Sequence, residues 1–288
     1  MAGELARTQV QLARASTWAA WEEAVALSIP KRDDIYFKRR PLAVVLCQIR
    51  FPPIYALLSE TAVAGFQEAI RSRYPVMAPE IQQTIAVDRK QVELSETAPV
   101  FHLSDESNEW RVSIAVDFVA LESNKYLYFS EFVDRLEWVL DAAQRTVAPA
   151  DSVRIGLRKV NDFEHPSVHE ARDWGGLLRP ELLGLLGAEW LPGAVGMGLS
   201  DIRQADEEDG LLAIRHGILP DPGDSPKYRL DLDYSTERPM RIGATDSLRE
   251  LLVGYSNAMT GFFMSVLTDD LYNYMEPTPK PTEDQRDQ

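Results

Sequence analysis

Arg154-Ile-Gly-Leu-Arg-Lys-Val-Asn161 is the stretch on which the reading of this chain turns. Its apolar character predicts a buried strand. Strand alternation nevertheless sets Arg154, Gly156 and Arg158 together on one face. It lies near the middle of the 288 residues, so the chain reads as one half before it and one half after it.

Working outward, the earlier half opens with a strand from Leu42 to Phe51, bounded by Pro41 and by Pro52-Pro53. Ser59 caps a helix to about Ser72, with Val63, Phe66 and Ile70 at helical spacing, and Tyr74-Pro75 ends it. Strands follow around Ile81 to Val87, Val100 to Leu103, Trp110 to Val116 and Phe118 to Leu121. Trp110, Val112, Ile114 and Val116 alternate with smaller or polar residues, so that strand buries one face. A helix begins at Ser130, carries Phe132, Leu136, Val139, Leu140 and Ala143, and stops before Pro149.

The later half begins with a strand from Ser152 to Val160. A short helical region from Trp174 to Leu186 is broken by Pro180 and several glycines. Val195–Gln204 and Leu211–His216 form a hairpin around Asp206-Glu-Glu-Asp-Gly210, and Lys227–Tyr234 is the next strand. Ser247 with Glu250 reads as a capping box that opens a long amphipathic helix through Leu267. The expected class is therefore α+β, in two pseudo-equivalent strand-helix-strands-helix halves whose antiparallel sheet is covered by helices. The predicted units are a helical extension and linker (1–35), a first half (36–150), a second half (151–275) and a disordered tail (276–288).

The net charge of −15 repels phosphate backbones and disfavours nucleic acid. It suits a basic protein partner. The single cysteine, Cys47, sits in an apolar run, which rules out an intramolecular disulfide and fits the cytoplasm and a buried structural thiol. No apolar run is long enough to cross a membrane as a helix.

Pro41-Leu-Ala-Val-Val-Leu-Cys-Gln-Ile-Arg-Phe51, Phe66-Gln67, Tyr74-Pro75, the central stretch and Leu230-Asp-Leu-Asp233 recur in an order that resembles a sporadically distributed family of uncharacterised bacterial proteins. The resemblance spans roughly residues 36 to 270, a domain-sized segment. Its most specific part is the pattern Arg-x-Gly-Leu-Arg-x-x-Asn, within which Lys159 stands where the family calls for an aromatic residue. The resemblance implies no chemistry. Its patchy distribution implies an association with mobile, defence or toxin–antitoxin genes.

Asp231 and Asp233 share a face of their strand, as Arg154 and Arg158 do of theirs, with same-face neighbours roughly 6.5–7 Å apart. The expectation is that the two strands meet and that Arg158 bridges to Asp231 or Asp233, with Gly156 leaving room for an arginine to lie flat. On the structural reading this is a half-buried ion pair that fixes register. On the functional reading the same residues line an anion- or partner-binding groove. His165 and His169 are four apart, but Pro166 disfavours the helix that would aim both at a metal. His102 and His216 stand isolated on strand patterns. Gly193-Ala-Val-Gly-Met-Gly198 lacks the strand and helix of a dinucleotide site, and Asp206 to Asp209 lack the ligand spacing of a calcium loop. Neither a nucleophile elbow nor a phosphate loop is present, so no metal and no cofactor is implied.

Two functions remain. One is a non-enzymatic cytoplasmic protein that binds a protein partner, as the regulatory or neutralising member of a gene pair, with the Trp18/Trp21 helix as a candidate contact. The other is a small-ligand binder or enzyme using a cavity between sheet and helices, with Arg154, Arg158, Asp231 and Asp233 at its polar end.

Overall fold

Within the main sheet the two halves join at one strand pair. Strand β9 (Arg154–Phe163) lies antiparallel to β2 (Leu42–Arg50), with Cys47 opposite Leu157 and Ile49 opposite Ile155. The computed structural model describes residues 31–33, 35–80, 83–88, 91–96, 98–125, 128–188, 198–206, 210–219, 225–243 and 245–279.

On one side of that central pair β2 is followed by β8 (Phe118–Ser123), β7 (Trp110–Ala115), β6 (Val100–Ser104) and β3 (Val76–Glu80). On the other, β9 is followed by β12 (Lys227–Thr236), β11 (Gly210–Leu219) and β10 (Gly198–Ala205). The result is one nine-stranded antiparallel sheet, and in each half the opening strand pairs with the last. A proposed boundary at residue 150 therefore cuts through continuous hydrogen bonding. The strand read around Ile81 to Val87 is β4 (Gln83–Asp88), and with β5 (Gln91–Glu96), which the pattern reading did not resolve, it makes a separate ribbon. Pro79 is tolerated in β3 because that strand is an edge.

The main hydrophobic cluster takes its strand residues from one face, while on the other, among the described residues, only small or isolated apolar residues such as Ala120, Val160 and Ala213 are buried. Val45, Cys47 and Ile49, then Val112 and Ile114, then Ile155 and Leu157, then Leu230 and Leu232 all turn the same way. Helix α1 (Glu60–Ile70) starts where Ser59 Oγ accepts from the Thr61 N–H, and it buries Val63, Phe66 and Ile70. Helix α2 (Phe129–Thr146) presents Phe132, Leu136, Val139 and Leu140 to the sheet, where Phe132 stacks on Trp110 at 6.0 Å. Helix α3 (Thr245–Val266) lays Tyr255 on Tyr234 at 4.2 Å and Phe263 on Phe163 at 5.6 Å. It starts two residues before Ser247, with Asp246 in its first turn, so Ser247 is helical and the expected capping box does not mark the start. Pro180 likewise opens a one-turn helix (Pro180–Leu183) at its N-terminus and breaks nothing.

Helix α4 (Asp269–Tyr274) leads to β13 (Pro277–Thr278), which pairs with β1 (Tyr36–Phe37). Disorder was expected from Glu276. Instead Glu276 accepts backbone N–H from Lys38 and forms ion pairs with Lys38 and Arg39, because the strap needs only a few backbone bonds that pattern reading does not register. Residues 280–288 lie outside the described residues. Among the described residues no helix is long and apolar enough to cross a membrane.

Candidate functional site

The pleat of β9 sends Ile155, Leu157 and Lys159 towards the helices, and Arg154, Gly156 and Arg158 to the opposite face. Asp233 lies directly opposite Arg158 on β12, and Asp231 is two residues further along the same face. Arg158 leans diagonally, its Nε donating to Asp231 Oδ1 at 2.7 Å and its Nη2 to Oδ2 at 2.6 Å. Arg154 leans the same way to donate to Asp233 Oδ1 at 3.3 Å. To get there its guanidinium crosses Gly156, where a Cβ would stand 2.6 Å from Nη1. The glycine lets the arginine lie flat, and a side chain there would push the guanidinium aside.

The network continues over residues that the motif reading passed over. Arg215 on β11 stands opposite Asp231, with Nη1 3.5 Å from its Oδ2, and opposite Asp201 of β10, with Nε 3.5 Å from Oδ2. Arg229 forms a bidentate pair with Asp162, both bonds 2.7 Å. Across the first half Arg111 Nη2 donates to Glu122 at 2.6 Å, and His102 Nδ1 meets Ser113 Oγ at 2.8 Å. The available signal was charge at alternate positions: Asp201 and Arg203, then Arg229, Asp231 and Asp233, all on one face of otherwise apolar strands. In the pairs of Arg158 with Asp231, Arg229 with Asp162, and Arg111 with Glu122, the arginine is the more exposed partner.

For the central pair the side chains are 42 % and 5 % exposed respectively. The carboxylate is sunk and the guanidinium reaches water. Hydrogen bonding to Asp231 raises the Arg158 pKa above its ordinary value, and partial burial pulls against it. Hydrogen bonding to Asp162 does the same for Arg229. Beneath the ladder, on the helix face, burial pushes the Cys47 thiol up to about 12, with Arg154 drawing it down and Asp233 adding to the rise. It is a core thiol.

Arg154, Arg158, Asp231 and Asp233 were expected at the polar end of a cavity between sheet and helices. That expectation is corrected: the two-residue period turns all four to the other face. Among the described residues the helix-side spaces have different walls. One of about 80 Å³ is lined by Tyr36, Pro41, Leu42, Lys159, Asn161 and Phe263, among others. Lys159 donates to Ser256 Oγ at 2.7 Å, with its ammonium 5.2 Å from the Phe129 ring centre, so its stem packs on the helix side while its head finds a polar partner.

A shallow groove of about 370 Å³ runs between Leu182, Ile202, Ile214, Phe262 and Val266, with His216 among its walls. Tyr228 Oη donates to Leu182 O, so its 2.8 Å contact with His216 requires Nδ1 of the imidazole to donate. Burial lowers the His216 pKa. His165 packs edge-on against Tyr274 and its Nδ1 meets Ser167 Oγ, while His169 offers its backbone N–H to Asp173. Among the described residues no three His, Cys, Asp or Glu side chains converge as a metal requires. Trp18, Trp21 and most of the Gly193–Gly198 run lie outside the described residues.

No protein-family model and no curated protein matches the chain. A functional reading therefore rests on the ladder and on which face carries it.

Proposed function

We propose that this is a non-enzymatic cytoplasmic interaction protein whose partner, another protein, docks on the face of the sheet that carries no helix among the described residues. The observation that carries the reading is the division of labour between faces. The helix side supplies the main hydrophobic cluster, and the other side carries interleaved arginines and carboxylates across β10, β11, β12 and β9. Arginines held by carboxylates yet open to water are preordered donors, which lowers the entropy lost when a partner arrives. Arginine is also a preferred anchor at protein interfaces.

The expectation of a basic partner drew on whole-chain charge. This face is itself close to balanced, since Arg111, Arg154, Arg158, Arg203, Arg215 and Arg229 stand with Glu122, Asp162, Asp201, Asp231 and Asp233. The partner we propose offers acceptors to the arginine tips and cations to the carboxylates. A balanced face also argues against a phosphate backbone, which calls for excess positive charge. The family resemblance supplies the setting, a regulatory or neutralising member of a two-gene system.

The test places a photo-crosslinking residue at Gln48, mid-sheet on the ladder face, and as a control at Val253 on α3, a 40 % exposed helix-side position. The proposal expects one stoichiometric protein adduct from native lysate at position 48 and none at 253. Adducts at 253 alone, at both equally, or at neither overturn it, as does a nucleic-acid adduct at 48.

A further inference from the structure

Among the described residues the nine-stranded sheet ends differently on its two sides. At one end β3 is five residues long and carries Pro79, which blunts it as a pairing edge. At the other, β10 is eight residues long, pairs regularly with β11 throughout, and contains neither proline nor lysine. Leu199 and Ile202 are 59 % and 51 % exposed on it. A long, regular edge with outward apolar side chains is a template for another strand.

We propose that the strand it receives is β10 of a second copy, so that the protein forms a two-fold dimer with a continuous sheet. The argument is the self-complementarity of Leu199-Ser-Asp-Ile-Arg-Gln-Ala205. Antiparallel pairing about a two-fold axis through Ile202 sets Ile202 against Ile202 of the second copy, and Asp201 against Arg203 of that copy, twice over. Neighbouring registers that keep the faces aligned set Asp201 against Asp201, or Arg203 against Arg203, which like-charge repulsion disfavours. Within one chain the Asp201 carboxylate is loosely engaged, at 3.5 Å from Arg203 and 3.5 Å from Arg215, so it has capacity for another cation. On the helix side the two Ile202 side chains extend the apolar wall of the groove formed with Ile214, Phe262 and Val266. The axis stands perpendicular to the sheet, so both ladder faces point the same way and the dimer is bivalent. This inference does not depend on the partner reading.

The test is sedimentation velocity of the full chain over a range of concentrations. It expects a concentration-dependent species of twice the 32.5 kDa chain mass. Asp201→Arg and Arg203→Glu should each raise the dissociation constant on the order of tenfold or more, since two attractive pairs become repulsive. Mixing the two variants should restore association, because the mixed pair matches opposite charges at both contacts. A folding defect in either variant would not be rescued by mixing. As a second measurement, Ile202→Cys should form an interchain disulfide under mild oxidation, given that paired strands bring the two Cα atoms within disulfide range. A monomer at every concentration, a dimer indifferent to both reversals, or a mixture that stays monomeric overturns the proposal.

Discussion

Replacing Arg158 with alanine tests whether the ladder is built as described. The substitution removes two charge-assisted bonds, of 2.7 and 2.6 Å, from a carboxylate whose side chain is 5 % exposed. Breaking a fully buried pair costs about 3–5 kcal/mol, because the remaining charge is stranded. Two features lower that figure here. Arg158 is 42 % exposed, so part of its interaction is already screened by water, and Arg215 stays 3.5 Å from Asp231 as a residual counter-charge. The expected loss is about 2 kcal/mol. Asp231→Asn should cost less, about 1 kcal/mol, because the abandoned guanidinium can be hydrated and the amide still accepts one bond. Urea unfolding of both single variants and of the double variant gives the coupling by a double-mutant cycle, expected at about 1 kcal/mol or more. A loss below about 0.5 kcal/mol for Arg158→Ala, or a larger loss for Asp231→Asn, would refute the account of a sunken acid held by a half-exposed base.

Gly156→Val should displace the Arg154 guanidinium from Asp233 and lower stability by about 1 kcal/mol, read as a shift in urea midpoint; an unchanged midpoint would show that the flat arginine is incidental. His216 is held neutral by burial, with its pKa below 6.5. As pH falls below 6.5 the unfolded chain binds a proton that the folded chain refuses, so stability should decline on acidification, and His216→Gln should remove that part of the slope. An identical slope in the variant would count against it. Cys47, with its thiol near 12 and fully buried, should resist iodoacetamide in the native protein at neutral pH and react only as fast as the protein opens. Native-state labelling at the rate of a free thiol would contradict its place in the core.

The long elements were legible because burial on one face leaves a period that survives in sequence. Trp110, Val112 and Ile114 announce β7, and the stripe on α2 is read correctly from Phe132 to Ala143. The meeting of β9 with β12 was also legible, since a same-face arginine pair on one strand and a same-face aspartate pair on another are complementary when the strands are neighbours. Which side of the sheet they occupied was not. That follows from where Leu157 and Lys159 point, and only the packed helices decide it. Strands β1 and β13 escaped detection because two residues carry no period, and β5 because four of its six residues are polar or acidic, a composition shared with loops. The extent of the ladder through Arg215 and Asp201 depends on strand order, which local pattern does not encode.

The pairing of β2 with β9 has a consequence for biosynthesis. As the chain leaves the ribosome, β2 acquires its first neighbour when residues 118–123 emerge, and its second only with residues 154–163. Between those two moments the nascent first half carries a nine-residue, valine-rich strand with one row of backbone groups unanswered. Such an edge invites pairing with other nascent chains. Closing it requires a contact between residues about a hundred positions apart, which places this step among the slow ones in folding. The seam that joins the finished halves is thus also the interval in which the newborn chain most needs a chaperone.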